Sequence, residues 1–304
     1  MTDDFRCGVM ARARGDALPG TAAPARHWLL VQDLGPWPRR AFVDHPGDPV
    51  AGREIVARAR ESRTRPLFIR RPGRRDPRDP ADRWAYVDSI AGAALWGHYR
   101  SLAEVAAGPW QAAAPLSEPL YLVCTHGRHD QCCAIAGRPV AGEFARLRPA
   151  STWECSHLGG DRFAGNVVVL PWGLTYGFVD ADDVASIVAA TERGEVYLPL
   201  LRGRSTDGPV VQAARIGVQR DLGLAGIDAL TLTEVHATEP GRWRVSFSAG
   251  ADAGDSAEAA GAWSVAVEQV RIADARATCA HDEPGPMREL QCGEVSVSRG
   301  PVSR

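Results

Sequence analysis

The stretch CTHGRHDQCC, residues 124–133, holds three of the chain's seven cysteines and two of its eight histidines. Thiolates are soft ligands that suit zinc and iron-sulfur clusters, and imidazole suits zinc and iron. Cys124 and Cys133 are separated by a loop long enough to wrap a metal group and return to it. A second stretch, ECSHLGGDRFAGN, residues 154–166, adds Cys155, His157 and Asp161. His157 and Asp161 flank Leu158-Gly159-Gly160, and paired glycines permit a tight backbone path that aims both side chains inward. The two stretches read as halves of one site.

The elements needed to position them follow from hydrophobic pattern and breakers. PLYLVCTH is a strand running into the cysteine loop, GRPVAGEFARLRP a helix entered near Asp130 and stopped by Pro149, and STWECSH a second strand. NVVVLPWGLTYGFV spells two strands joined at Pro171-Trp172-Gly173, and ADDVASIVAATERG a helix ending at Gly194. Residues 119–194 thus form a β-α-β-β-β-α unit. Before it, HWLLVQ, VAGREIVARARESR, PLFIRR and WAYVDSI give strand, helix, strand, strand, a small α/β part. The segment 106–119 reads as a linker, and RRPGRRDPRDPADR and AGADAGDSAEAAGA as exposed loops. After it, GPVVQAARIGVQRDLG is a helix, followed by three strand patterns; the last twenty residues show no period. No internal repeat of fixed period is visible. The expected organisation is α/β in three regions: 1–114, 115–202 and a β-rich extension, 203–304.

Composition sets the class. Of 304 residues, 45% are hydrophobic and 24% charged, with a net charge of -2, so nothing drives the chain toward nucleic acid or anionic membrane. All 35 basic residues are Arg. No apolar run reaches the roughly 18 residues of a membrane helix, and no basic segment followed by an apolar run opens the chain. A cytoplasmic location is expected, where thiols stay reduced and clustered cysteines serve metals or catalysis rather than disulfides.

CTHGRHDQCC followed by CSHLGGDRFAGNVVVLPWGLTYGFV resembles the sucrase/ferredoxin-like family, thioredoxin-like 2Fe-2S ferredoxins. Cys7, GTA at 20–22, WLL at 28–30, GPW at 35–37 and IRRPGR at 69–74 resemble its bacterial members. The resemblance implies a thioredoxin-like ferredoxin domain and a 2Fe-2S cluster held by two Cys at C-x8-C spacing and two His in an H-x3-H turn. Carried over, the ligands are Cys124, Cys133 and His157, while Asp161 stands where the second His would be. The fourth ligand is therefore Asp161 or, alternatively, Cys155, which shares a strand face with His157 by period-two alternation. Imidazole in place of thiolate removes negative charge and raises the reduction potential.

Three functions remain in view: an electron carrier with an unidentified redox partner protein; a thiol redox protein; and a zinc or metal-free binding module. The thiol reading is weakened by the lack of C-x-x-C, whereas a mixed Cys/His/Asp set suits zinc. Sucrase activity is not expected: glycoside hydrolysis needs two carboxylates flanking the bond, and nothing in the sequence points to a sugar cleft. His126 and His129 are read as loop residues rather than main ligands, Cys132 as core or a competitor of Cys133. Cys7, Cys279 and Cys292 are read as ordinary packing or exposed residues, with Cys279 and Cys292 the alternative pair for a second thiol site.

Overall fold

A computed structural model describes residues 5–73, 82–253, 261–280 and 283–298. The expected loops at RRPGRRDPRDPADR and AGADAGDSAEAAGA fall largely at 74–81 and 254–260, outside the described residues.

In chain order the elements are α1 (Cys7–Arg14), β1 (His27–Gln32), α2 (Pro49–Glu61), β2 (Thr64–Arg70), β3 (Arg83–Asp88), β4 (Ala93–His98), α3 (Leu102–Ala107) and β5 (Ala114–Pro115). Next come β6 (Leu120–Cys124), α4 (Gln131–Leu147), β7 (Thr152–Cys155), β8 (Val167–Leu170), β9 (Leu174–Tyr176), α5 (Val184–Glu192) and β10 (Leu201–Arg204). The chain continues through α6 (Pro209–Leu222), β11 (Leu230–Glu239), β12 (Arg242–Ala249), β13 (Ala262–Ala275) and β14 (Gly285–Ser298).

Strands β1 to β10 form one sheet in the order β10-β9-β8-β6-β7-β2-β1-β3-β4-β5. Its two halves have the same topology. In the second half β6 and β7 are parallel across α4, while β8 pairs antiparallel with β6 and β9 antiparallel with β8. This is the expected β-α-β-β-β-α unit, a thioredoxin-like arrangement. In the first half β1 and β2 are parallel across α2, β3 is antiparallel to β1, and β4 to β3. The repeat absent from the sequence is therefore present in the backbone. A topology needs only the same alternation of apolar and turn residues, not the same letters. The halves meet where β2 runs antiparallel to β7, through the pairs Ile69↔Cys155 and Arg70↔Glu154. The expected linker 106–119 is not free: β5 within it pairs with β4 at the sheet edge.

Alternation sorts the core. Leu120, Leu122 and Cys124 of β6 share a cluster with Trp28, Leu30, Leu67, Ile69 and Cys155, which spans both halves. Tyr121 and Val123 pack with Val140 and Phe144 of α4 and Ile187 of α5. Leu29, Val31 and Phe68 pack with Ile55 of α2 and Leu102 of α3. β6 is buried along its whole length, as a central strand covered on both faces must be.

The β-rich extension is a four-stranded antiparallel sheet in the order β11-β12-β13-β14. Helix α6 lies between it and the large sheet. Ile216 faces the core of β6 and β8, while Val211, Ala214 and Val218 face Val245, Phe247, Trp263 and Val265. The extension is thus welded on through a shared helix. β14, unread in the sequence, is defined by its partner: it is exposed over most of its length and pairs with β13 from Ala275↔Gly285 to Ala262↔Ser298.

Candidate metal centre

β6 delivers Cys124 at its C-terminal end. The chain then loops through residues 125–130 and enters α4, whose N-cap Asp130 accepts a hydrogen bond from the Cys132 amide at 2.8 Å. Cys133 therefore sits in the first turn of α4. One turn on, Gly137 lets the helix lie directly on β6, because a Cβ there would come within 2.0 Å of the Cys124 carbonyl oxygen. That approach sets the spacing of the two thiols. β7 runs parallel to β6 with Cys155 in register beside Cys124, so His157, just past the strand end, emerges next to the same loop. The turn to Asp161 requires Gly159 and Gly160, with φ of 91° and 78°.

The ligand atoms of Cys124, Cys133 and His157 all lie within 4.8 Å of one another. Asp161 Oδ1 stands 3.1 Å from His157 Nδ1 and 3.5 Å from Cys133 Sγ. His157 Nδ1 makes no hydrogen bond despite that approach, and is a buried polar atom without a partner. The ring of His129 stacks on His157 with centroids 3.7 Å apart, and its Nε2 is 3.9 Å from Asp161 Oδ2. His129, His157 and Asp161 form a second three-donor group that shares His157 with the first. Cys155 is fully buried beside Cys124, but its sulfur joins neither group. Cys132 does not compete with Cys133; it turns to the other side of the helix, toward Cys7 and Cys279. The alternative pairing of Cys279 with Cys292 does not occur: Cys292 is exposed and its thiol meets the Ala213 carbonyl.

The thiol sulfurs are sealed while the imidazole edges reach solvent: Cys124 and Cys133 are 0% exposed, the side chains of His157 and His129 21% and 28%. Part of the seal comes from the first half. The carbonyls of Pro38 and Arg39 meet His126 Nε2 at 2.9 Å and His129 Nδ1 at 3.2 Å, and Trp37 stands edge-on to His126. GPW is a family-like motif in the sequence, but nothing in its letters signals that this segment covers the cysteine loop.

The electrostatics favour an anionic centre. Cys124 is held well below the usual thiol range, first by a hydrogen bond from Cys133, then by His157 and the His126 amide, all against burial. Cys133 is pushed well above that range by the same hydrogen bond and by burial. The short approach of the two thiols thus favours loss of a proton from Cys124 before Cys133. Two arginines absent from the sequence reading flank the histidine turn. Arg202 is 1% exposed and donates to the Thr21 hydroxyl, the Thr21 and Gly159 carbonyls and Asn166 Oδ1, all neutral acceptors. Burial lowers its pKa to about 9. Arg65 donates to the His157 carbonyl at 3.1 Å, and its Nε is buried without a partner. Buried cations with neutral partners are costly unless negative charge lies near. Asp161 and Cys124 are the groups whose negative charge acts on Arg202 in that sense, against the neighbouring Arg162 and Arg65. In sequence Arg202 is one Arg of LRGR in an all-Arg protein, which gives it no distinguishing mark.

A profile of the sucrase/ferredoxin-like family matches residues 18–203. Altered inheritance of mitochondria protein 32 from Meyerozyma guilliermondii is 31% identical over 99 residues, 29% of this chain and 35% of that protein. The chain thus spans about a third of the length of that curated relative. Among solved structures, a single-residue variant of the thioredoxin-like [2Fe-2S] ferredoxin from Aquifex aeolicus aligns over its whole length and 29% of this chain, at 24% identity and a TM-score of 0.26. The family profile covers well over half of the chain, including the cysteine loop, the histidine turn and the strands that carry them, and the chain belongs to the sucrase/ferredoxin-like family.

Proposed function

We propose that this protein is an electron carrier that holds a 2Fe-2S cluster through Cys124, Cys133, His157 and Asp161. The observation that carries the reading is the convergence of two sealed thiols and one imidazole from separate loops, in a family whose likeness implies that cluster. The donor set fits the group: soft sulfurs, an imidazole nitrogen with no hydrogen bond of its own, and buried guanidinium groups that offset negative charge. Bound there, the cluster would accept and release one electron.

The chain's own residues set the conditions. The hydrophobic shell keeps water from the sulfurs, and Arg202 and Arg65 stabilise the more negative state. The His126 amide, directed at Cys124, does the same in a weaker way. Asp161 in place of a second imidazole adds negative charge and lowers the potential. A redox partner protein would meet the exposed edges of His129 and His157.

The test is iron, acid-labile sulfide and zinc analysis of protein purified without oxygen. Iron and sulfide in equal amounts, lost in Cys124→Ser, support the reading. Iron-free, colourless protein after anaerobic reconstitution rejects it. A zinc module is the second reading, because donors mutually within 4.8 Å also suit one tetrahedral ion; zinc lost in Cys133→Ser would select it.

A further inference from the structure

On the opposite side of the α4 N-terminus lies a second sulfur cluster, built from residues far apart in the chain. Cys7 opens α1, Cys132 is in the first turn of α4, and Cys279 lies between β13 and β14. The Cys279 sulfur is 3.5 Å from that of Cys7 and 3.5 Å from that of Cys132. Asp130 brings its carboxylate oxygens to 3.5 and 3.6 Å from the Cys7 sulfur. One donor atom from each of the four residues lies within 4.8 Å of all the others. We propose that Cys7, Cys132, Cys279 and Asp130 bind a single zinc ion, a structural site separate from the centre at Cys124.

Three observations argue for it. Sulfurs bound to one tetrahedral ion at metal–sulfur bonds of about 2.3 Å stand about 3.8 Å apart, close to the spacing found here. Thiolates select zinc or copper(I) among single ions, and a carboxylate as fourth donor favours zinc.

Second, the surroundings favour negative charge. α1 has no side-chain N-cap; its first amides instead meet sulfur, Cys7 N–H donating to Cys279 at 3.3 Å and Gly8 N–H to Cys132. α4 directs the Cys132 amide at Asp130 Oδ1. Two helix N-termini thus point into one group of soft and anionic donors.

Third, the carboxylate is held in place and can offer a lone pair. Asp130 Oδ2 accepts from the Cys279 amide at 2.6 Å and the Thr278 hydroxyl at 2.8 Å. Oδ1 accepts the Cys132 amide at 2.8 Å and the Cys7 thiol at 3.6 Å; loss of that thiol proton on metal binding leaves a lone pair to ligate. A cleft of about 600 Å³ lined by Gly8, Arg12, Ile135 and Ala164 reaches the group at Cys132. With four protein donors the site is closed, as structural zinc sites are.

The test uses the full chain and zinc itself. Purified protein is expected to carry ~1 zinc per chain at this site. Cys279→Ser and Cys7→Ser should lose that zinc and leave iron content and absorption at the other centre unchanged, while Cys124→Ser should do the reverse. Should a variant fail to fold, two measurements on the native chain decide. Cobalt(II) exchanged for zinc should show thiolate charge-transfer absorption. Mass spectrometry after alkylation should find Cys7, Cys132 and Cys279 protected together with zinc and reactive together after chelation. Zinc that follows Cys124 and Cys133 instead, alkylation indifferent to the chelator, or a chain that takes up neither zinc nor cobalt would overturn the assignment.

Discussion

In the proposed centre Asp161 and His129 are the two candidates for the fourth donor, and distance separates them. Asp161 Oδ1 is within 3.5 Å of both Cys133 Sγ and His157 Nδ1, whereas His129 reaches the group only through stacking and a 3.9 Å approach to Asp161. Asp161→Ala is expected to abolish iron retention and His129→Ala to preserve it, read by iron content and electron paramagnetic resonance. Asp161→His should keep the cluster and raise its potential, since a neutral imidazole replaces a carboxylate. Arg202→Met removes a buried cation, so the potential should fall in protein-film voltammetry. The stranded acceptors at Thr21, Gly159 and Asn166 should cost about 3 kcal/mol in a denaturant titration. The thiols and His157 were legible because residue type and spacing carry the chemistry. Arg202 was not, because its role comes from burial. Nor was the meeting of Cys7 with Cys279, 272 positions apart, which only the folded sheets create.

At the scale of elements, the register of α4 on β6 decides whether the two cysteines can share an ion. Gly137→Ala places a methyl 2.0 Å from the Cys124 carbonyl, so helix and strand must separate. The expected result is a stability loss of about 3 kcal/mol or more together with lost iron binding. Gly142 in the same helix meets nothing within 4 Å. Gly142→Ala should therefore stabilise by up to about 1 kcal/mol with iron binding intact; equal effects at both positions would refute the contact argument. α4 and the β8–β9 hairpin were readable from the Asp130 cap, periodicity and Pro171-Trp172-Gly173. β14 was not, because an exposed strand paired on one flank needs no apolar period, and its pattern is set by β13.

For the whole molecule, the three-region division misses how the parts depend on one another. Residues 115–202 take their loop cover from Pro38 and Arg39, the neighbour of β7 from β2, and two of the four acceptors of Arg202 from Thr21. A fragment 115–202 is expected to lack a cooperative thermal transition and to bind no cluster, checked by circular dichroism and iron analysis. A folded, iron-binding fragment would show that the region is self-sufficient. The duplicated topology was hidden because the first half keeps the backbone plan and carries none of the sulfur or imidazole donors of the second half.

The join between the halves rests on two strand pairs, Ile69↔Cys155 and Arg70↔Glu154, reinforced by Arg70 Nε on Glu154 at 2.7 Å and by Ser156 meeting Phe68 through its amide and its hydroxyl. Cys155 is itself one of those paired residues and stands in register beside Cys124, so the candidate centre lies one strand away from this short seam. Momentary parting there would admit oxygen or chelator to atoms that are otherwise out of reach. For the proposed cluster, the expected outcome is a lifetime in air that tracks opening of this seam, read by hydrogen exchange at the Phe68 and Ser156 amides.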